Sequence, residues 1–333
     1  MVNDEFSLIR SLLQHRVSGR EKGVEVDAGD DAAVLNRLQG STVLTCDTMV
    51  ETVHFLPETM EPWDIGWKCM TANISDVAAM GGRPTHALVS LAVPEGWSRE
   101  ELGPIYRGME DASAPFDLRI VGGDTVSSPQ HLVLTVVLLG EVEEGQALLR
   151  SSARPGDIVF VTGETGSSAA GLHLLKNRGF NSAAQRYPTL VKAHRQPVPR
   201  VDAGRWLLHS GWKPACNDVS DGLAREAWEI AEASGIRILL EREKVPLGEE
   251  TVAYAREIGA DPYYWALEGG EDFELLGTAP REAFLRGVRE AEKKGIRLIE
   301  IGRVEEGPAG VDCKVNGQRR EWTGRGYNHF ADR

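Results

Sequence analysis

The sequence predicts an α/β protein of two domains, each with a mixed sheet flanked by helices. Three observations carry this expectation. The chain has 333 residues, more than a single ordinary domain and suited to two. Short β-branched runs alternate with longer stretches of helical period, and a charged connector of small residues interrupts that alternation near the middle. Hydrophobic residues at 41% and charged residues at 26% are the proportions of a globular chain.

In order, Val43 to Cys46 reads as a short strand that ends on Asp47 and Thr48. Trp63, Trp67, Met70, Ile74 and Val77 recur at spacings of four, three, four and three. That period predicts a helix from Trp63 to Met80, stopped at Gly81 and Gly82. Leu88 to Val93 reads as a strand and Glu100 to Ala114 as a helix. Ile120 and Val121 form a strand running into Gly122-Gly123-Asp124-Thr125, and Leu132 to Glu141 closes the first half. The pattern weakens from Glu143 to Pro155, which sets an N-terminal domain at 1–142 and a C-terminal domain at 150–333. The second half opens with a strand from Asp157 to Thr162 and a glycine turn from Gly163 to Gly166. A helix from Asp221 to Ala233 follows, with strands at Ile238 to Leu240, Phe273 to Leu276 and Leu298 to Ile301. No repeat of fixed period occurs.

Composition narrows the partners. A net charge of −13 makes free nucleic acid and anionic membrane poor ones, but admits an anionic substrate if divalent cations stand between. The most apolar run, Leu132 to Leu139, has the length of a buried strand rather than a membrane span. The N-terminus begins with Asp4 and Glu5 and continues as an amphipathic pattern, unlike a signal peptide. A cytoplasmic location is expected. Cys46, Cys69, Cys216 and Cys313 form no CxxC pair, so buried thiols in a reducing compartment are expected.

The acids are placed informatively. Gly29-Asp30-Asp31, Asp47, Asn73-Ile74-Ser75-Asp76, Gly123-Asp124, Asn217-Asp218-Val219-Ser220-Asp221-Gly222 and Gly269-Gly270-Glu271-Asp272 share a setting of glycines or small residues at element ends. Each alone is ordinary turn or helix-start chemistry. Six together point to a hard-cation site, because Mg²⁺ is held by a few carboxylates, water and substrate phosphates. On a helix Asp76 falls away from the apolar stripe, on the side of Cys69 and Asn73. There is no GxxxxGK[ST] loop and no HExxH, and the turn at Gly163 lacks dinucleotide-loop spacing.

In order along nearly the whole chain, these pieces resemble the thiamine-monophosphate kinase family, of the aminoimidazole-ribonucleotide-synthetase-like ATP-binding superfamily. The matching runs are Gly29-Asp30-Asp31-Ala32-Ala33, Thr45-Cys46-Asp47-Thr48 with His54-Phe55, Asn73 to Gly81, and Gly122 to Thr125. They continue with Arg150, Asn217 to Leu223, Gly269 to Leu275, and Gly326 to Phe330. The resemblance implies an N-terminal domain that forms the interface of a homodimer, and a C-terminal α/β domain. It implies transfer of the ATP γ-phosphoryl group to thiamine monophosphate with several Mg²⁺ ions. It assigns Asp30, Thr45, Cys46, Asp47, Asp76, Asp124, Asp218 and Asp221 to metal, and Tyr106, Gly123, Asp124, Arg150 and Ser220 to ATP. His54, Glu271 and Tyr327 fall to the thiamine substrate, with Trp322 a second aromatic candidate. No residue is assigned as general base; Asp47 and Asp124 are the most critical. Cys46 departs from the hydroxyl residue expected there, and a thiol is a poor Mg²⁺ ligand. Another ATP-dependent enzyme of this superfamily, of the purine-pathway synthetase type, and a metal-dependent phosphohydrolase are the alternative readings.

Overall fold

A computed structural model describes residues 23–26, 32–36, 39–323 and 326. The described residues divide into two units. One holds residues up to 77 together with 83–145, and the other holds 78–82 together with those from 146 onward.

In the first unit, β1 (Val24–Val26) and β2 (Val34–Leu35) form a small antiparallel pair. The main sheet contains β3 (Ser41–Val50), β4 (Arg83–Pro94), β5 (Arg119–Ser128) and β6 (Val133–Val142). Its order is β3-β6-β4-β5, antiparallel except for the parallel β4–β5 pair, so it is mixed as expected. Helices α1 (Pro62–Ala79) and α2 (Arg99–Ser113) accompany it. They cross backbone to backbone: a side chain at Gly66 would meet the Ile105 carbonyl, and one at Gly108 the Trp63 carbonyl. The stripe residues Met70, Ile74 and Val77 are fully buried. Ser98 caps α2 in a reciprocal pairing with Glu101, which satisfies two otherwise orphaned amides.

Strand alternation gives this sheet two unlike faces. Leu134, Val136 and Leu138 of β6 are fully buried, as are Val89 and Leu91 of β4. On the other face Leu44, Leu88 and Val126 are 66%, 40% and 48% exposed. Leu44 lies opposite Leu139, and Val137 lies between Cys46 and Leu88, so this open face is largely apolar.

Two expectations are corrected by the observed strands. Gly122 to Thr125 do not form a turn after a strand but lie inside β5, paired with β4. A side chain at Gly123 would sit 1.8 Å from the Val89 carbonyl oxygen, so glycine is what lets the two backbones approach. Asp47 likewise lies within β3 rather than at its end.

The second unit is built on a seven-stranded sheet of order β13-β12-β9-β11-β7-β10-β8. Its strands are β7 (Asp157–Val161), β8 (Cys216–Asp218), β9 (Arg237–Glu241), β10 (Leu275–Pro280), β11 (Ile299–Glu305), β12 (Gly310–Val315) and β13 (Gln318–Glu321). All pairs are antiparallel except β12 with β9. Helix α3 (Ser167–Arg178) follows β7. Then come α4 (Phe180–Arg186), α5 (Pro188–Arg195) and α6 (Val201–His209), with α7 (Leu223–Ser234) after β8. The apolar side of α7, Leu223, Ala227 and Ile230, packs into one core with Val159, Ile238 and Leu276. Helix α7 begins two residues later than expected, behind Gly222 at φ 108°, which leaves Asp221 in the loop. The strand expected from Phe273 begins at Leu275 instead, because Phe273 stands at φ 51° and cannot join a ladder in that conformation. Among the described residues no helix is long and apolar enough to cross a membrane.

Candidate active site

In the first unit, Thr45 and Asp47 share the face of β3 that looks toward α1. The Thr45 hydroxyl donates to an oxygen of Asp76, and the Asp47 amide donates to Asn73 Oδ1 at 3.1 Å. Asn73 is buried, and its Nδ2 donates to the Cys69 carbonyl at 3.1 Å. Thus the side of α1 bearing Cys69, Asn73 and Asp76 is pressed on β3 and docks the two metal-ligand candidates. Burial, with Asp47 nearby, pushes the Cys69 thiol far up, so it stays protonated and inert.

Cys46 alternates to the open face and is exposed, a correction to the expectation that all four thiols are buried. Its thiol therefore points away from Thr45 and Asp47, and only its backbone shares their side. Asp124 stands on β5 opposite Ser90, on that same open face, with its Oδ1 accepting the Thr125 amide at 2.9 Å. His54 follows β3, and its Nδ1 accepts the Val50 amide at 2.9 Å. Tyr106 is buried on α2. Asp30 and Tyr327 lie outside the described residues.

In the second unit, β8 delivers Asp218 into the loop of Ser220 and Asp221. This loop wraps a buried acid that the motif reading missed. Glu226 Oε1 accepts the Asp221 amide at 3.0 Å and the Ser220 hydroxyl at 3.3 Å, and Glu226 also accepts from Asn217 Nδ2. Burial first, then the Asp218 charge, pushes its carboxyl well up. Asn217 Oδ1 in turn accepts Arg150 Nε at 3.0 Å, while Arg150 Nη1 pairs with Glu229 at 2.9 Å. Arg150 is thus fastened to the aspartate loop with half its side chain in solvent, rather than adrift in a linker. The signal for Glu226 was its place in the first turn of a helix behind Asp-Gly, where an acid reaches back to loop amides.

The loop of Glu271 presses on the same feature. The Glu271 amide donates to the Ser220 carbonyl at 2.8 Å and the Phe273 amide to the Val219 carbonyl at 2.9 Å. Glu274 was also missed: it accepts Thr162 Oγ1 at 2.6 Å and Arg200 Nε at 2.8 Å. Trp322 donates to Glu268 at 2.5 Å and packs against the core, which marks it as a packing residue.

Two family models match the chain: the N-terminal domain of AIR synthase related protein over residues 29–142, and its C-terminal domain over 154–313. A thiamine-monophosphate kinase of Bacillus subtilis is 43% identical over 331 residues, covering 98% of this chain and 99% of the relative. This chain belongs to the thiamine-monophosphate kinase family. A crystal structure of the kinase from Stenotrophomonas maltophilia K279a is similar at a TM-score of 0.80 and 32% identity, covering 94% of this chain and 95% of that one. AaThiL complexed with AMPPCP and TMP is similar at a TM-score of 0.78 and 34% identity, covering 98% and 96%.

Each unit, taken by itself, carries a group of oxygen donors. Thr45, Asp47 and Asp76 offer only oxygen at the β3–α1 contact; Asp218, Asp221 and Glu226 do so at the start of α7. That chemistry fits a hard cation such as Mg²⁺. Among the described residues no three or more His, Cys, Asp or Glu side chains already form a metal cluster. Oxygens from phosphate and water would complete any coordination shell here.

Proposed function

We propose that this chain transfers the γ-phosphoryl group of ATP directly to thiamine monophosphate, giving thiamine diphosphate and ADP. The observation that carries the proposal is the 43% identity running through 98% of the chain, a span that takes in both oxygen-donor clusters.

The acceptor is itself a phosphate whose second ionisation lies near pH 6, so its attacking oxygen is already deprotonated at neutral pH. The task left to the protein is to align two polyanions and neutralise their charge. Bound Mg²⁺ would supply charge neutralisation on the transferring phosphoryl group, held by Asp30, Thr45, Asp47, Asp76, Asp124, Asp218 and Asp221, with Cys46 offering its carbonyl. Arg150, steadied by Asn217 and Glu229, clamps an ATP phosphate; Ser220, Gly123 and Tyr106 line the nucleotide. His54 accepts on Nδ1, so its neutral ring carries the proton on Nε2 and presents a donor to the substrate. Glu271 and Tyr327 are assigned to the thiamine substrate, since a carboxylate and an aromatic ring suit a cationic thiazolium.

The working form is a cytoplasmic homodimer, with residues 1–142 forming the ATP-, metal- and partner-binding domain and 150–333 the second domain. The uncovered apolar face of the first sheet supports this pairing. So does the separation of Asp47 and Asp124. They stand on the two edge strands, three strand spacings or about 14 Å apart along the sheet, whereas Mg²⁺–oxygen distances are about 2.1 Å. A second copy lying across the open face brings the β5 edge of one subunit to the β3 edge of the other.

The test is an acceptor screen: ATP and Mg²⁺ with thiamine monophosphate, thiamine or purine precursors, products identified by mass. Thiamine diphosphate formed from the monophosphate alone is the expected result. Phosphate released without an acceptor, or product formed from a purine precursor, would sink the proposal.

A further inference from the structure

The stretch Glu271-Asp272-Phe273 is strained on both sides of a buried acid. Glu271 and Phe273 stand at φ 65° and 51°, and neither is glycine. Each left-handed residue costs on the order of 1–2 kcal/mol, and such strain persists only where the surroundings impose it. One source is the neighbouring loop: a side chain at Gly270 would lie 2.0 Å from the Ser220 carbonyl oxygen. The other is Asp272. Its Oδ2 accepts the Gly166 amide at 2.6 Å and its Oδ1 the Ser168 amide at 3.1 Å, at the start of α3. Gly166 has no side chain to cap that helix, so the cap comes from a distant loop and ties that loop to it.

The same corner reaches Glu271 directly. The Ser168 hydroxyl lies 3.5 Å from His194 Nδ1 on α5, and that nitrogen lies 3.8 Å from Glu271 Oε2. Ser168 and His194 are each 1% exposed, whereas the Glu271 side chain is 31% exposed. A reachable carboxylate therefore sits on a stem fastened from beneath and from the side.

We infer that Asp272 and His194 are positioning residues that hold the Glu271 carboxylate where the thiazolium ring of thiamine monophosphate binds. This rests on the reading of Glu271 as a substrate contact. Asp272 sets its backbone, and His194 sets the direction of its side chain.

The experiment measures KM for thiamine monophosphate and for ATP separately, in E271Q, D272N and H194N and in the two double variants with E271Q. Each single variant is expected to raise KM for thiamine monophosphate about tenfold or more while KM for ATP stays within about threefold. Each double variant should be no worse than E271Q alone, because a residue acting through Glu271 has nothing left to position. Equal losses on both substrates, or losses that compound in the doubles, would overturn the inference. A tenfold effect in E271Q with none in D272N and H194N overturns it and leaves the substrate contact standing. No effect in E271Q overturns both. Thermal melting checks that each variant folds, and if one of D272N and H194N does not, the other decides.

Discussion

Asp47 and Asp124 leave one four-stranded sheet from opposite edges and opposite faces, with two strands between them. Within a single chain the sheet keeps them apart. If both acids serve one phosphoryl transfer, as proposed, they meet only across two copies of the chain.

Asp47→Asn and Asp124→Asn should each abolish transfer while leaving the thermal melt unchanged. Mixed after dissociation and reassociation, the two dead variants should recover about a quarter of wild-type turnover. Half of randomly reassorted dimers are then mixed, and each carries one intact site of two. A mixture as inactive as its parts would show that both acids serve from the same subunit.

Leu44→Glu places a charge on the apolar open face beside Leu139. Sedimentation should show a mass half that of wild type, with activity lost and circular dichroism retained. Unchanged mass would mean that this face is not where copies meet.

Asn73→Ala removes an acceptor from the Asp47 amide and a donor from the Cys69 carbonyl, both at 3.1 Å. Leaving buried polar groups unpaired costs about 1–3 kcal/mol, to be read from urea denaturation. Turnover should fall further than stability accounts for, because the backbone beneath Asp47 loses its anchor.

Burial pushes the Asp272 carboxyl from an ordinary 3.8 up to about 7, against the amides of Gly166 and Ser168 and with help from Glu274 and Glu271. The folded chain therefore holds a proton that the unfolded chain releases between about pH 4 and pH 7. Stability from this group is full below pH 4 and is lost as pH rises through 7. In Asp272→Asn the fall in urea stability across that window should be shallower. An unchanged slope would refute the assignment.

Much of this was legible in the chain. The α1 stripe from Trp63 to Val77 placed a helix within one residue of its observed ends, since burying one side of a helix demands that spacing. Gly123-Asp124 misled, because two glycines before an acid read locally as a turn. Only the approach of Val89 on the neighbouring strand reveals that glycine is there to let β5 pair. Glu274 and Arg200 passed unnoticed for a similar reason. Their pairing joins segments 74 residues apart in sequence, which no local pattern marks.

By itself the sequence determined the α/β plan with mixed sheets and the family. Periodicity and ordered short motifs are properties of neighbours in the chain. Tertiary structure alone decided which face of β3 each residue takes, that Cys46 looks away from Asp47, and that Asp272 reaches back to the start of α3. Those outcomes depend on strand register and on packing between segments far apart in sequence, where a shift of one residue turns every side chain to the other side.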